Sequence, residues 1–319
     1  MKAMNPFGMK RRQVGLTLVE ILVALVVSLI LIAGVIQIFV GTQQTYRFQD
    51  ALARVQENGR YAIEVISRDA RIAGYAGCTS LISVTPRVIA PVAVAYSLDN
   101  YINNVPAAGP ALGAIAGTDV LTLRMLSPNA TRVAVDMGSA ADVVNLDANP
   151  DGLELNDIVG IADCNNVDLF RVNGVGAGPA LTPHAPLTKA YLEGTVVSRF
   201  REVSYYIRAG ASGDPALWRR ELGADELDQE LVDGVEDLWI RYGVDLDNNG
   251  APDAYVDAAA VADWNLVRSL RISLLLVSNE DNVTGGPQPV NFRGAAVAVG
   301  DNRYRQVLTT TVGLRNRLP

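Results

Sequence analysis

An apolar run extends from Ile21 to Ile36, interrupted only by Ser28 and continued through Gln37 to Val40, and a carboxylate, Glu20, stands at its start. From Leu16 to Val40 the segment makes a helix of about 37 Å at 1.5 Å per residue. That length spans a bilayer. The flank before it carries Lys2, Lys10, Arg11 and Arg12 with no acidic residue, which the positive-inside rule keeps cytoplasmic. A cleaved secretory signal has a shorter apolar core and a small-x-small exit, and this run has neither. An ordinary anchor has no use for Glu20. A charge inside a membrane segment costs on the order of 2.5–3.5 kcal/mol, so it marks function by default.

Beyond the run, composition mainly excludes. The chain has 319 residues, 49% hydrophobic and 19% charged, enough apolar material for a core and too much for whole-length disorder. Its net charge of −7 argues against a protein that grips nucleic acid. One histidine and two cysteines leave no Cys/His zinc cluster. There is no phosphate-binding glycine loop and no G-x-S-x-G elbow beside His184. His184, between Pro183 and Pro186, reads as a surface loop residue.

The basic leader, Gly15, Leu16-Thr17-Leu18-Val19-Glu20 and the apolar helix that follows resemble the class III signal of type IV pilins and of type II secretion pseudopilins. The resemblance implies that a prepilin peptidase cuts between Gly15 and Leu16 and methylates the new amino terminus at Leu16. It implies that Glu20, then the fifth residue, pairs with the terminal amine of a neighbouring subunit; a buried carboxylate needs such a partner. Leu16 stands where the family usually has Phe or Met, and Gln37 replaces a common proline. A start at Met9 would leave a short leader ending at the same glycine. Removing residues 1–15 takes the net charge from −7 to −11.

The helix is expected to continue past the anchor, over about 16–74. Phe48, Leu52, Val55, Gly59, Ala62, Ile66, Asp69 and Ala73 recur at spacings of four and three, a nearly apolar stripe. Gly74 and Gly77 supply the stop. A break near Gly41 is the alternative. Gln44–Gln49, Arg54–Arg60 and Ala73–Cys78 resemble the PilW group of minor pilins, with the J-type minor pseudopilins as nearest structural relatives. Stretches around 157–172 and 235–316 add to this resemblance.

The remainder reads as an antiparallel β-rich head. Strands are expected over Val120–Leu126, Asp157–Asp163, Asp168–Val172, Thr195–Arg208, Ala216–Leu222, Val235–Asp245, Leu266–Val277 and Arg303–Leu314. In the sixth and seventh, apolar and polar residues alternate, as half-buried strands require. Residues 75–118 resist assignment. The acidic run Glu221–Asp237 reads as a solvated face, with a partner-docking surface as its alternative. The expected fold class is thus α+β, a pilin-like lollipop. Leader 1–15 precedes a fibre-core or transmembrane half-helix 16–40, an amphipathic half 41–74 and a periplasmic head 75–319.

On the periplasmic side two cysteines more often pair than stay free. A Cys78–Cys164 disulfide would contribute about 4–5 kcal/mol by chain entropy. Asp245, Asp247, Asn249 and Asp253 match the first part of a calcium loop, with Gly250 at the turn. Val256 stands where an EF-hand has its bidentate Glu. Calcium and a metal-free acidic turn both fit; at Asp147–Gly152 the plain turn is favoured.

The functional expectation is a minor pilin without catalytic activity, anchored in the inner membrane and built into a pilus fibre near its tip, where it primes assembly. Its implied partners are the prepilin peptidase, other minor pilins, the major pilin and a tip adhesin, with no nucleic acid. The rivals are a type II secretion pseudopilin, an anchored periplasmic enzyme and an anchored binding or sensor head.

Overall fold

The computed structural model describes residues 15, 17–77, 84, 86–89, 101–103, 112–176, 178–222 and 227–317. One long helix, α1, runs over Leu18–Ile72. It contains no break at Gly41, consistent with the absence of proline between residues 7 and 85. The chain divides into two compact units, residues 1–50 and 51–319.

Among the described residues the strands follow in the order β1 (Arg87–Val88), β2 (Ile102–Asn103), β3 (Leu121–Leu126), β4 (Thr131–Arg132), β5 (Val144–Asn145) and β6 (Ile158–Asp163). Next come β7 (Asn166–Val175), β8 (Ala180–Pro183), β9 (Val196–Ala209), β10 (Pro215–Leu222), β11 (Leu227–Asp233) and β12 (Val235–Val244). The series closes with β13 (Ala254–Val256), β14 (Val267–Val277), β15 (Val290–Phe292), β16 (Ala295–Val297) and β17 (Arg305–Gly313). The larger sheet runs β11-β10-β9-β6-β7-β8-β5. The long β9 also pairs with β3 and β4, and β1 joins β7 in parallel. A second sheet has the order β13-β12-β14-β17, antiparallel throughout. The eight expected strands are all present, with ends displaced by at most three residues. The ninth long strand, β11, lies inside the acidic run expected as a solvated face, at the edge of the larger sheet with Asp228, Glu230 and Asp233 half-buried. One of its carboxylates, Asp228, is clamped by Arg208 and Arg220, while Glu230 and Asp233 accept from neutral donors.

The carboxyl-terminal part of α1 buries Ala51, Val55, Gly59, Ala62, Val65, Ile66, Asp69 and Ala70. These residues meet Leu238, Ile240, Tyr242, Leu270, Ile272, Leu274 and Leu276 from the second sheet, and Leu123, Val203 and Tyr205 from the first. The buried stripe widens toward its end, where Val65, Ile66, Ser67, Asp69 and Ala70 are buried while Arg68 stays exposed. Gly59 is the point of closest approach: a Cβ there would overlap methyl groups of Leu308 and Leu276. The helix stops where Gly74 turns left-handed (φ 74°). The amide of Asn316 then donates to the last carbonyls, those of Ile72 and Ala73, at 3.2 and 3.1 Å, groups that a helix end leaves without internal partners. A second core gathers Val159, Ile161, Phe170, Val172, Leu181 and Tyr191 around the β6–β8 region.

Candidate assembly site

The amino-terminal unit consists of an exposed apolar helix with one carboxylate. Its large apolar side chains from Leu18 to Val40 are between 49% and 75% exposed. Leu18–Val40 rises about 34 Å, against a hydrocarbon core of about 30 Å. Among the described residues this is the one helix long and apolar enough to cross a membrane. Its hydroxyls are already satisfied. Ser28 Oγ donates to the carbonyl of Leu25, Thr42 to that of Ile38 and Thr45 to that of Gly41. Such back-bonding satisfies these three hydroxyls within the helix itself.

Glu20 is part of a closed local arrangement. The backbone N–H of Thr17 donates to Glu20 Oε2 at 3.1 Å, and the Thr17 hydroxyl to the same oxygen at 3.2 Å. In return the backbone N–H of Glu20 donates to Thr17 Oγ1 at 3.3 Å. This is a capping box, with Thr17 at the N-cap and Glu20 three residues on. The T-x-x-E spacing announces it in the sequence; reading Glu20 only as an intermolecular group passes over it. Gly15 is exposed ahead of the helix. Leu16 lies outside the described residues.

Cys78 also lies outside them. Cys164 is exposed in the two-residue turn between β6 and β7 and forms no disulfide among the described residues. Gly77 runs beside the end of β6, where a Cβ would lie 3.2 Å from that of Ala162.

In the Asp245 loop, one carboxylate oxygen each of Asp245, Asp247 and Asp253 lies within 4.8 Å of the others. Most of their bonds point inward to the loop. Asp245 accepts from the backbone of Asn249 at 3.1 Å and of Gly250 at 3.0 Å. Asp253 accepts from the backbone of Leu246 at 2.7 Å, and Asn249 Oδ1 accepts from that of Ala251 at 2.8 Å. The decisive neighbour comes from β14: Arg268 Nε donates to Asp245 at 3.0 Å. Burial opposes the charge on Asp245, yet Arg268 and the two backbone donors hold its pKa below the ordinary value. Arg268, more than twenty residues away, carried no sequence signal of this contact. At 147–152 the loop is held by Asn149, whose side chain accepts from Leu153 N at 2.7 Å. His184 is an exposed loop residue.

The prokaryotic N-terminal methylation motif matches residues 10–36. The motif runs onto the one helix among the described residues that is long and apolar enough to cross a membrane. The family described as Type IV Pilus-assembly protein W, PilW, matches residues 204–316, the stretch from β9 to β17. Over these two stretches the chain carries the signals of a type IV pilus minor pilin of the PilW group. Among solved structures it is similar to the type IV-like pilin TTHA1219 from Thermus thermophilus, with 14% identity, 83% of this chain and 98% of that chain covered, and a TM-score of 0.34. No curated protein matches the chain significantly.

Proposed function

We propose that this chain is a minor pilin that primes type IV pilus assembly and sits near the fibre tip, in contact with other minor pilins, the major pilin and a tip adhesin. The observation that carries the reading is the pairing of the methylation motif on 10–36 with the PilW domain on 204–316. The prepilin peptidase cuts between Gly15 and Leu16 and methylates Leu16. Residues 16–40 anchor the protein in the inner membrane and then pack in the fibre core, while the head is periplasmic. In the precursor Glu20 caps its own helix. After cleavage its charge pairs with the amino terminus of a neighbouring subunit, which sets the register of packing. The course of Gly77 beside Ala162 supports a Cys78–Cys164 disulfide. The role is structural, not catalytic.

Intact mass and amino-terminal sequencing of membrane-extracted protein, with and without the prepilin peptidase, test the processing. A start at Leu16 that depends on the enzyme is expected; an uncleaved start overturns it. Recovery in sheared pili at far lower abundance than the major pilin is the expected fibre result. Absence from the pili and from their assembly complexes overturns the priming role.

A further inference from the structure

Arginines of the head are, as a rule, consumed by carboxylates. Arg124 binds Glu202, Arg201 and Arg219 bind Glu221, Arg293 binds Asp119 and Asp237, and Arg305 binds Glu236 and Asp301. Among the arginines that depart from this pattern, Arg241 and Arg271 are direct neighbours. Arg241 on β12 stands directly opposite Arg271 on β14, which in turn faces Thr311 on β17. Alternation along the strands sends Ile240, Tyr242, Leu270 and Ile272 into the core, so the two guanidiniums share the outer face of the second sheet. Side chains in such opposed positions sit about 5 Å apart at Cβ, and like charges there are destabilising. Neither arginine has an ion-pair partner among the described residues, in a chain of net charge −7.

Both are nevertheless held in place. The Arg271 guanidinium lies 3.9 Å from the centre of the Tyr255 ring, whose hydroxyl is fixed by Ser269 at 3.0 Å. Arg241 donates to the Tyr255 carbonyl, while its Nε is shielded from solvent and has no hydrogen-bond partner. Thr309 and Thr311 are exposed beside them on β17. We propose that this face docks an acidic segment of another protein, whose carboxylates are gripped by Arg241 and Arg271. The planar guanidinium fork suits carboxylate oxygens. A partner carboxylate would relieve the repulsion that the isolated fold tolerates. A long polyanion is disfavoured by the net negative field of the rest of the chain. The inference goes beyond the assembly reading and is tested independently of cleavage.

The test uses the full chain in detergent and a fluorescein-labelled hexaglutamate peptide, read by anisotropy at low salt. Wild-type protein is expected to bind, and added salt to weaken the binding. The double variant R241Q/R271Q is expected to bind at least tenfold more weakly, with no fall in melting temperature. Arg315→Gln, an exposed tail arginine, is expected to bind as wild type does. If the glutamine pair proves unstable, R241K/R271K keeps charge and stems but loses the fork, and has to bind severalfold more weakly. No binding by wild type, or equal binding by these variants, overturns the proposal. Preference for a heparin fragment over the peptide overturns it in favour of a polysaccharide.

Discussion

The hydroxyl of Tyr205, on β9, donates to Asp69 Oδ2, on α1, at 2.6 Å in a site where both residues are buried. Arg219 approaches the same oxygen at 3.5 Å and also binds Glu221 at 2.7 Å. The bond ties the helix end to the larger sheet at a position where the apolar stripe would otherwise have a buried, unpaired charge. Tyr205→Phe is expected to cost about 1–2 kcal/mol and Asp69→Ala about 1–3 kcal/mol, the cost of leaving a buried partner unsatisfied. Because Glu221 still compensates Arg219, Asp69→Ala should stay below the full cost of breaking a buried ion pair. Denaturant unfolding of each variant measures this.

Gly59 sits where α1 and the second sheet come closest. Its replacement by Ala gains about 1 kcal/mol of helix propensity but pushes on Leu308 and Leu276, whose methyl groups can rotate. The net change is expected within about 1 kcal/mol of zero. Gly59→Leu has no such room and should cost about 1–3 kcal/mol through overpacking. Thermal unfolding of the two variants separates them.

Stability should fall on both sides of a neutral plateau. Burial first, then the Asp69 carboxylate, raises the Tyr205 phenol well above its usual range; burial also raises Tyr206 to about 12. A raised phenol favours the folded state while it stays protonated. Its contribution is full below about pH 10 and is lost as pH climbs through the folded value. Carboxylates act in the opposite direction. Hydrogen bonding from Arg305 lowers Asp301 to about 2, and Arg220 holds Asp228 well below the ordinary range. Their contributions are present above about pH 4 and are lost as pH falls toward 2. Melting temperatures across pH check both limbs, and Asp301→Asn should flatten the acid one.

Thr17 and Glu20 can be separated by substitution. Thr17→Ala removes the cap and should cost the helix terminus about 0.5–2 kcal/mol while leaving fibre incorporation intact. Glu20→Gln keeps a capping-box side chain but removes the charge, so it should be processed normally and recovered in sheared pili at least tenfold less. Equal incorporation of Glu20→Gln and wild type would remove the intermolecular role of the charge.

Arg268 holds the Asp245 carboxylate that a calcium ion would need. Calorimetry on the wild-type chain is expected to show no heat below millimolar calcium. In Arg268→Met the Asp245, Asp247 and Asp253 oxygens lose their cation, and calcium affinity should rise at least tenfold. Submicromolar binding by the wild type would mean that Arg268 yields its place.

Local order along the chain was already written in the residue sequence. The apolar run, the T-x-x-E cap, the four-three stripe ending at Gly74 and the alternation in β12 and β14 each express a period of one element, and an element's period depends only on its own residues. β11 escaped because its acidic side chains look solvated until Arg208 and Arg220, brought in from β9 and β10, neutralise Asp228. The same holds for the calcium-like loop, whose character depends on Arg268 from another strand, and for Asp69, which reads as a flaw in an apolar stripe until Tyr205 meets it. Strand register alone made Arg241 and Arg271 neighbours. Charge compensation acts through space over a few ångströms, so only the tertiary structure could decide which charges in this chain are paired and which are left for a partner.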